Sequence, residues 1–194
     1  MLAQIQRLGE RTTYLVQDLG RMGIFLARTL GALFQRPFRW REVVRQTRLI
    51  GANSFFVIFF TAAFTGMVLG LQGYYTLRKF GAEGALGSAV ALSLIRELGP
   101  VLTALMVIGR AGSAMCAEIG IMRNSEQLDA LECMAVDPFR YLIAPKLLAT
   151  MISIPILTLI FSVVGIFGGY LAGVVLLGVN AGSYFSGMEL SVVN

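Results

Sequence analysis

The chain has 194 residues, of which 56% are hydrophobic and only 14% are charged, and it contains no histidine. A soluble domain carries about 25% charged residues, so this composition excludes an ordinary soluble domain and indicates a membrane protein. The net charge is +5, and nine of the sixteen Lys and Arg residues precede residue 49. Without histidine, no metal site is expected.

The first predicted elements are amphipathic helices over residues 1–48. Apolar side chains recur every three or four residues from Ile5 to Leu33, which is the period of one helix face. Such a helix can pack on a soluble core or lie in the headgroup layer of a membrane. Because a hydrophobic span follows and no soluble core is available, we expect it to lie in the headgroup layer. Pro37 and Trp40 predict a second short interfacial helix there.

Three transmembrane helices are predicted next, so the fold class is an all-α polytopic membrane protein. Residues 49–77 and 147–188 form charge-free windows of 29 and 42 residues, and a helix needs about 20 residues to cross a bilayer. We place the spans at residues 49–77, 84–122 and 145–177, followed by a tail at 178–194.

Small residues recur four apart within two of these spans, and such faces let helix backbones approach closely. They are Ala62, Gly66 and Gly70 in the first span and Gly165, Gly169 and Gly173 in the third.

Basic residues are concentrated on one side of the predicted spans. Thirteen Lys and Arg residues lie before the first span or within residues 110–146, whereas the turn after the first span has two and the tail has none. The positive-inside rule therefore places the amino terminus and residues 110–146 in the cytoplasm and the tail outside.

Arg96 and Glu97 interrupt the second span near its middle. A charged residue at mid-bilayer costs about 2.5 kcal/mol or more, and it usually faces a bundle interior or a wet cavity. Pro100 follows and predicts a break in the helix near Gly99. The two charges could lock two helices together, or Arg96 could sit at the outer interface. We expect instead that they form a polar spot that meets a polar ligand group in an apolar cavity.

A short amphipathic helix is predicted at residues 124–137, between the second and third spans. Asn124 is placed to cap its start, and Asp137 before Pro138 either ends it or caps the next helix. Its acidic residues would be repelled by an anionic lipid surface. Docking onto a partner protein is therefore expected rather than binding to the lipid surface.

Motifs of catalysis and nucleotide binding are missing from the sequence. It contains no G-x-x-x-x-G-K-[ST] loop and no serine elbow or H-E-x-x-H motif. We therefore expect no enzymatic activity and no cofactor in this chain.

Three stretches resemble the MlaE family, the permease subunits of MCE-type ABC transporters that move phospholipids between the inner and outer membranes of bacteria. They are MVLGLQGY, ALSLIRELGPVLTALMVIGRAGSAMCAEIG and EQLDALECMAVDPFRYLIAPKLL. The resemblance implies a homodimer in the bacterial inner membrane and a role in outer-membrane lipid asymmetry. It also implies a cytoplasmic ATPase subunit that binds ATP and Mg, a periplasmic MCE-domain hexamer and, in some systems, a STAS-domain protein. Members of the family usually have five spans.

The resemblance also implies two sets of site residues. A lipid cavity at the dimer interface would be lined by Leu69, Thr76, Leu77, Phe80, Arg96, Glu97 and Leu98. A coupling helix inserted into the ATPase would comprise Glu126, Gln127, Leu128, Asp129, Leu131, Glu132, Met134 and Asp137. Two alternative functions remain. The chain could be a scaffold that anchors an ATPase or MCE partner without transport, or an intramembrane lipid-modifying enzyme that uses Glu97 as acid or base.

The orientation of the chain can be tested by labelling single cysteines in intact cells. In a variant without Cys116 and Cys133, a cysteine at Glu83 should react with a membrane-impermeant thiol reagent, because basic residues hold the opposite ends of the spans in the cytoplasm. A cysteine at Asp129 should react only after the cells are opened. The reverse pattern of labelling would contradict the predicted topology.

Overall fold

The computed structural model describes residues 2–33 and 40–192, and within these ranges the chain is helical and has no strand. The all-α class predicted from the sequence is confirmed. The α-helices are α1 (Leu2–Leu33), α2 (Trp40–Arg78), α3 (Leu86–Leu92), α4 (Gly99–Val107), α5 (Ser113–Asn124), α6 (Gln127–Cys133), α7 (Ala144–Tyr170) and α8 (Ala181–Val192).

Three helical segments are long and apolar enough to cross a membrane. They are Trp40–Arg78, Glu83–Asn124 and Phe139–Leu176, with mean hydropathies of 2.1, 1.7 and 2.4. The prediction of a polytopic membrane protein is therefore confirmed. Each segment is longer than predicted, because charged residues that flank the apolar windows remain helical.

We call Glu83–Asn124 the second segment and Phe139–Leu176 the third segment. The bundle has an α6 end, at which α2 begins, the second segment ends and α7 begins. The α8 end lies opposite and carries the turn between α2 and the second segment.

The prediction of a separate short helix before the first span is wrong for residues 40–48, because these residues form the first turns of α2. Pro37 lies outside the described residues.

The predicted break near Gly99 is wrong, because the second segment accommodates Pro100 by widening. Residues Ser93–Leu98 form a π-helical turn, and the amide of Gly99 donates to the carbonyl of Leu94, five residues back. An α-helical turn would press the proline ring against the carbonyl four residues earlier. The wider turn relieves this clash and keeps the helix continuous. A second π-helical turn, Ile108–Gly112, joins α4 to α5.

Helices α2 and α7 pack with their backbones in contact, as the small-residue faces predicted. A β-carbon at Gly66 would overlap the carbonyl oxygen of Gly165, and one at Gly168 would overlap that of Ala63. At Gly70 it would lie 2.9 Å from the carbonyl oxygen of Gly169. Only glycine permits this approach, which increases van der Waals contact where lipid supplies no hydrophobic driving force.

Residues 181–192, predicted as part of a tail, form helix α8 and fold back on α3. Tyr184 is fully buried, and its hydroxyl donates to the carbonyl oxygen of Ile166 at 3.2 Å. Gly87 of α3 lies directly against the backbone of Tyr184, with no room for a β-carbon. The turn before α8 is held by Asn180, whose Oδ1 accepts from the amide of Gly182 at 2.8 Å.

Helix α1 touches the bundle through its carboxyl-terminal part. The ring of Phe25 lies 5.4 Å from that of Phe139, centroid to centroid, and Thr29 is buried beside it. From residue 10 onward, where the structure describes the side chains, most apolar side chains of α1 are exposed, for example Leu19 and Met22. An exposed apolar face on a helix at the start of a membrane span suits the headgroup layer.

The glycine contact between α2 and α7 can be tested with two matched alanine substitutions. Gly66→Ala should lower the thermal unfolding midpoint of the detergent-solubilised protein, because overpacking costs about 1–3 kcal/mol. Gly51→Ala on the same helix has no atom within 4 Å of the new β-carbon. It should leave the midpoint unchanged or raise it, because alanine is the better helix former. Equal midpoints for both variants would contradict the predicted contact.

Candidate functional site

A groove opens between α2 and the second segment in the half of the bundle nearer the α8 end. Its volume is about 290 Å³, and we call it the α3 groove. Leu69, Thr76 and Leu77, predicted from the family resemblance as lipid-cavity residues, lie together along its wall. The remaining lining residues are Gln72, Gly73, Ala89, Val90 and Ser93.

The sequence analysis missed the remaining lining residues, although a signal for some of them was present. Residues three, four, seven and eight apart lie on one helix face. Extending the face from Leu69 by this rule reaches Gln72 and Gly73 as well as Thr76 and Leu77. The contribution of Ala89, Val90 and Ser93 depends on how the second segment crosses α2, which no spacing rule supplies.

Arg96 and Glu97 lie in the π-helical turn that follows the groove. Both side chains are exposed, and Leu94 between the groove and this pair is fully buried. Among the described residues, neither charged side chain takes part in an ion pair. Therefore Arg96 and Glu97 do not lock two helices of this chain together through an ion pair.

The other two residues predicted for the lipid cavity are placed differently. Phe80 is 80% exposed and belongs to the turn after α2 rather than to the groove wall. Leu98 is half-buried and packs against the hydrophobic core. Within the same π-helical turn, Leu98 thus packs toward the core whereas Arg96 and Glu97 are exposed.

Helix α6 forms a short projection between the second and third segments. It is flanked by two residues with left-handed backbone, Glu126 (φ 56°) and Ala135 (φ 57°). This conformation is uncommon for residues other than glycine and turns the chain sharply. Asn124 ends α5 instead of capping α6, so that prediction is wrong. Asp137 caps the next helix, with its Oδ1 accepting from the amide of Phe139 at 3.0 Å.

The residues predicted for ATPase coupling lie on and beside α6. Leu128 and Leu131 are half-buried, whereas Met134 is 65% exposed. The remaining members, Glu126, Gln127, Asp129, Glu132 and Asp137, are exposed. Among the described residues, the acids in this group have no ion-pair partner. The projection therefore offers uncompensated negative charge and an apolar side chain to whatever lies next to it.

A buried cation at the base of this projection was missed from the sequence. The side chain of Lys146, in the first turn of α7, is 3% exposed, and its Nζ lies 2.5 Å from Oε2 of Glu118 on α5. A buried ammonium needs such a counter-charge. The pair joins the two helices that flank α6.

The chain is similar to known permeases along most of its length. The family described as Permease MlaE matches residues 43–193. The "Intermembrane phospholipid transport system permease protein MlaE" of Haemophilus influenzae is 49% identical over 191 residues, which cover 97% of this chain and 72% of that protein.

More distant relatives also match. A "Probable ABC transporter permease protein" of Rickettsia bellii is 42% identical over 92% of this chain and 69% of its own length. The "Protein TRIGALACTOSYLDIACYLGLYCEROL 1, chloroplastic" of Arabidopsis thaliana is 37% identical over 69% of this chain and 38% of its own length. The similarity includes the π-helical turn with Arg96 and the α6 projection, since both lie within residues 43–193.

Proposed function

Because the chain belongs to the MlaE permease family, we propose that it is the transmembrane subunit of an ABC transporter that moves phospholipid between the inner and outer membranes of a bacterium. In that role it helps to maintain the lipid asymmetry of the outer membrane. The observation that carries the proposal is the similarity along almost the whole chain to a permease named for intermembrane phospholipid transport. The α3 groove and the charges beside it supply a physical route.

The α3 groove matches the two parts of a phospholipid. Its walls are largely apolar and suit acyl chains, whereas Gln72 and Ser93 offer polar groups. Arg96 is exposed three residues after Ser93, and it and Glu97 are the charged residues in the middle of this span. A guanidinium and a phosphate form strong charge-assisted hydrogen bonds. Phosphate bound there would also offset the cost of holding a cation at this depth.

The energy for transport comes from a separate cytoplasmic ATPase subunit, which binds ATP and Mg. The α6 projection is the surface that we assign to this partner. Its exposed acids and Met134 suit a protein groove that has basic and apolar residues. The Lys146–Glu118 ion pair ties the two helices beside α6. Movement of the projection would therefore be passed to both the second and third segments.

The orientation and the remaining partners follow from the same assignment. We propose that the chain lies in the bacterial inner membrane, with α1 and α6 on the cytoplasmic side, in keeping with the positive-inside rule. The α8 end then faces the periplasm and an MCE-domain hexamer. A second copy of the chain would close the α3 groove as a homodimer, and a STAS-domain protein would act from the cytoplasmic side.

The proposed function predicts that charge reversal at Arg96 weakens handling of phospholipid. In proteoliposomes that contain the chain and its ATPase, Arg96→Glu should reduce ATP-dependent movement of labelled phospholipid about tenfold or more, because an acid repels the phosphate. Arg96→Lys should retain part of the activity. The double variant Arg96→Glu/Glu97→Arg should not recover it, because adjacent side chains point in different directions.

Two results would count against this function, and a third would count only against the role of Arg96. Chemically altered lipid would indicate a lipid-modifying enzyme, and assembly without any ATP-dependent movement in the wild type would indicate a scaffold. Normal transport by folded Arg96→Glu would remove Arg96 from the lipid route.

The assignment of α6 predicts that an acid in place of an apolar residue weakens binding of the ATPase. Met134 is exposed, so Met134→Asp should leave the fold intact while the ATPase no longer co-purifies with the permease. Leu131→Asp should have the same effect. Met134→Leu, which keeps the apolar bulk, is the matched control and should co-purify normally. Normal co-purification of both aspartate variants would exclude this docking surface.

A further inference from the structure

A second pocket lies at the α6 end, between the start of α2 and the end of the second segment. Its volume is about 330 Å³, and it shares no lining residue with the α3 groove. We call it the α5 pocket. Its polar lining residues are Gln46, Asn53 and Ser54 from α2, and Arg110 and Glu118 from the second segment. No role for this pocket follows from the transport route described above.

Ser54 is the first sign that the α5 pocket receives a polar group. The residue is 3% exposed, and its Oγ has no hydrogen-bond partner within the described part of the chain. Two other hydroxyls of α2, those of Thr47 and Thr61, each donate to the carbonyl four residues back at 2.8 Å. A buried hydroxyl without a partner is unfavourable. Ser54 is therefore available to a ligand in the pocket it lines.

Arg110 supplies the positive charge of the pocket. It lies in the π-helical turn Ile108–Gly112, and its exposed side chain forms no ion pair with any described residue. The twelve residues before it are uncharged. Arg110 is thus the first charge after an apolar run, at the depth where a lipid headgroup begins. A guanidinium binds phosphate through two parallel hydrogen bonds.

Glu118 supplies the negative charge. Its Oε2 lies beside the buried Nζ of Lys146, and the side chain as a whole remains 53% exposed. The α-carbons of Arg110 and Glu118 are about 12 Å apart along the helix axis. Both side chains are long, so their charged groups can lie closer together than the α-carbons do. A phosphate and an ammonium carried by one molecule would match both charges.

We propose that the α5 pocket binds the headgroup of a zwitterionic phospholipid from the leaflet at the α6 end. Arg110 and Ser54 hold the phosphate, and Glu118 holds the amine. The inference rests on the proposed function, since it takes phospholipid as the ligand. It adds a second lipid position, separate from the α3 groove and on the opposite side of the bundle's midpoint.

The test places a photo-crosslinking amino acid at Asn53 of the full chain in dodecyl maltoside micelles, because this detergent carries no phosphate or amine that would compete for the pocket. Labelled phosphatidylethanolamine, phosphatidylglycerol and diacylglycerol are supplied at equal mole fractions. We expect about tenfold more crosslinking of phosphatidylethanolamine than of diacylglycerol, because only the former offers phosphate to Arg110. Phosphatidylglycerol should give an intermediate yield, because it lacks the amine.

Substitutions in the pocket distinguish the contribution of Arg110 to lipid binding from that of Glu118. Arg110→Gln should lower crosslinking of both phospholipids about tenfold, whereas Glu118→Gln should lower phosphatidylethanolamine to the level of phosphatidylglycerol. Ser54→Ala should lower both phospholipids by a smaller factor. Arg123→Gln, an exposed arginine of α5 outside the pocket, is the control and should match the wild type. Circular dichroism checks folding. If Glu118→Gln unfolds because Lys146 loses its counter-charge, the other two variants still decide the outcome.

Wild-type crosslinking of diacylglycerol at the level of phosphatidylethanolamine would overturn the inference, as would full crosslinking by folded Arg110→Gln. Complete displacement of the lipid by an equal concentration of glycerophosphoethanolamine would assign the pocket to a soluble phosphate and overturn the lipid source. If the wild-type chain and its ATPase showed no ATP-dependent transport in proteoliposomes while this crosslink still formed, the result would count against the proposed function alone.

Discussion

The close approach of α2 and α7 is the contact on which the rest of the bundle depends. In a bilayer, lipid chains are as apolar as leucine, so helices associate through van der Waals contact and backbone proximity rather than through the hydrophobic effect. Gly66 and Gly165 bring the two backbones together in this way. The same glycine row then receives the second segment, because Val90 and Leu86 fill the spaces above Gly169 and Gly173. The α3 groove is the gap that remains beside this three-helix contact.

The π-helical turns of the second segment reconcile two opposing demands. Backbone amides and carbonyls must stay hydrogen-bonded in a membrane, yet polar side chains have to reach particular positions around the helix. A π-helical turn keeps the hydrogen bonds and changes which face the following residues occupy. Both arginines of this segment that precede α5, Arg96 and Arg110, lie in such turns. The irregularity of the helix therefore coincides with the two exposed arginines that precede α5.

Charge at the α6 end links the proposed coupling surface to the spans. The α6 projection is acidic and exposed, and the Lys146–Glu118 ion pair lies at its base. Removing Glu118 would leave the buried ammonium of Lys146 without its counter-charge, which is unfavourable. Glu118 also lines the α5 pocket. Lipid binding there and movement of α6 would thus act on the same carboxylate, which gives a physical means by which one could influence the other.

The sequence by itself determined the class, the spans and the helix contact, because a bilayer demands long apolar helices and glycine has few other uses at four-residue spacing. It also located the acidic projection and the charged pair Arg96 and Glu97. It was wrong about the break near Gly99, because proline in an α-helix and proline after a π-helical turn look alike in a sequence. Only the tertiary structure decided three features: the partner of Lys146, the contribution of Ala89 and Ser93 to the α3 groove, and the α5 pocket. Each depends on where two helices cross, and crossing positions follow from packing across the whole bundle rather than from the local order of residues.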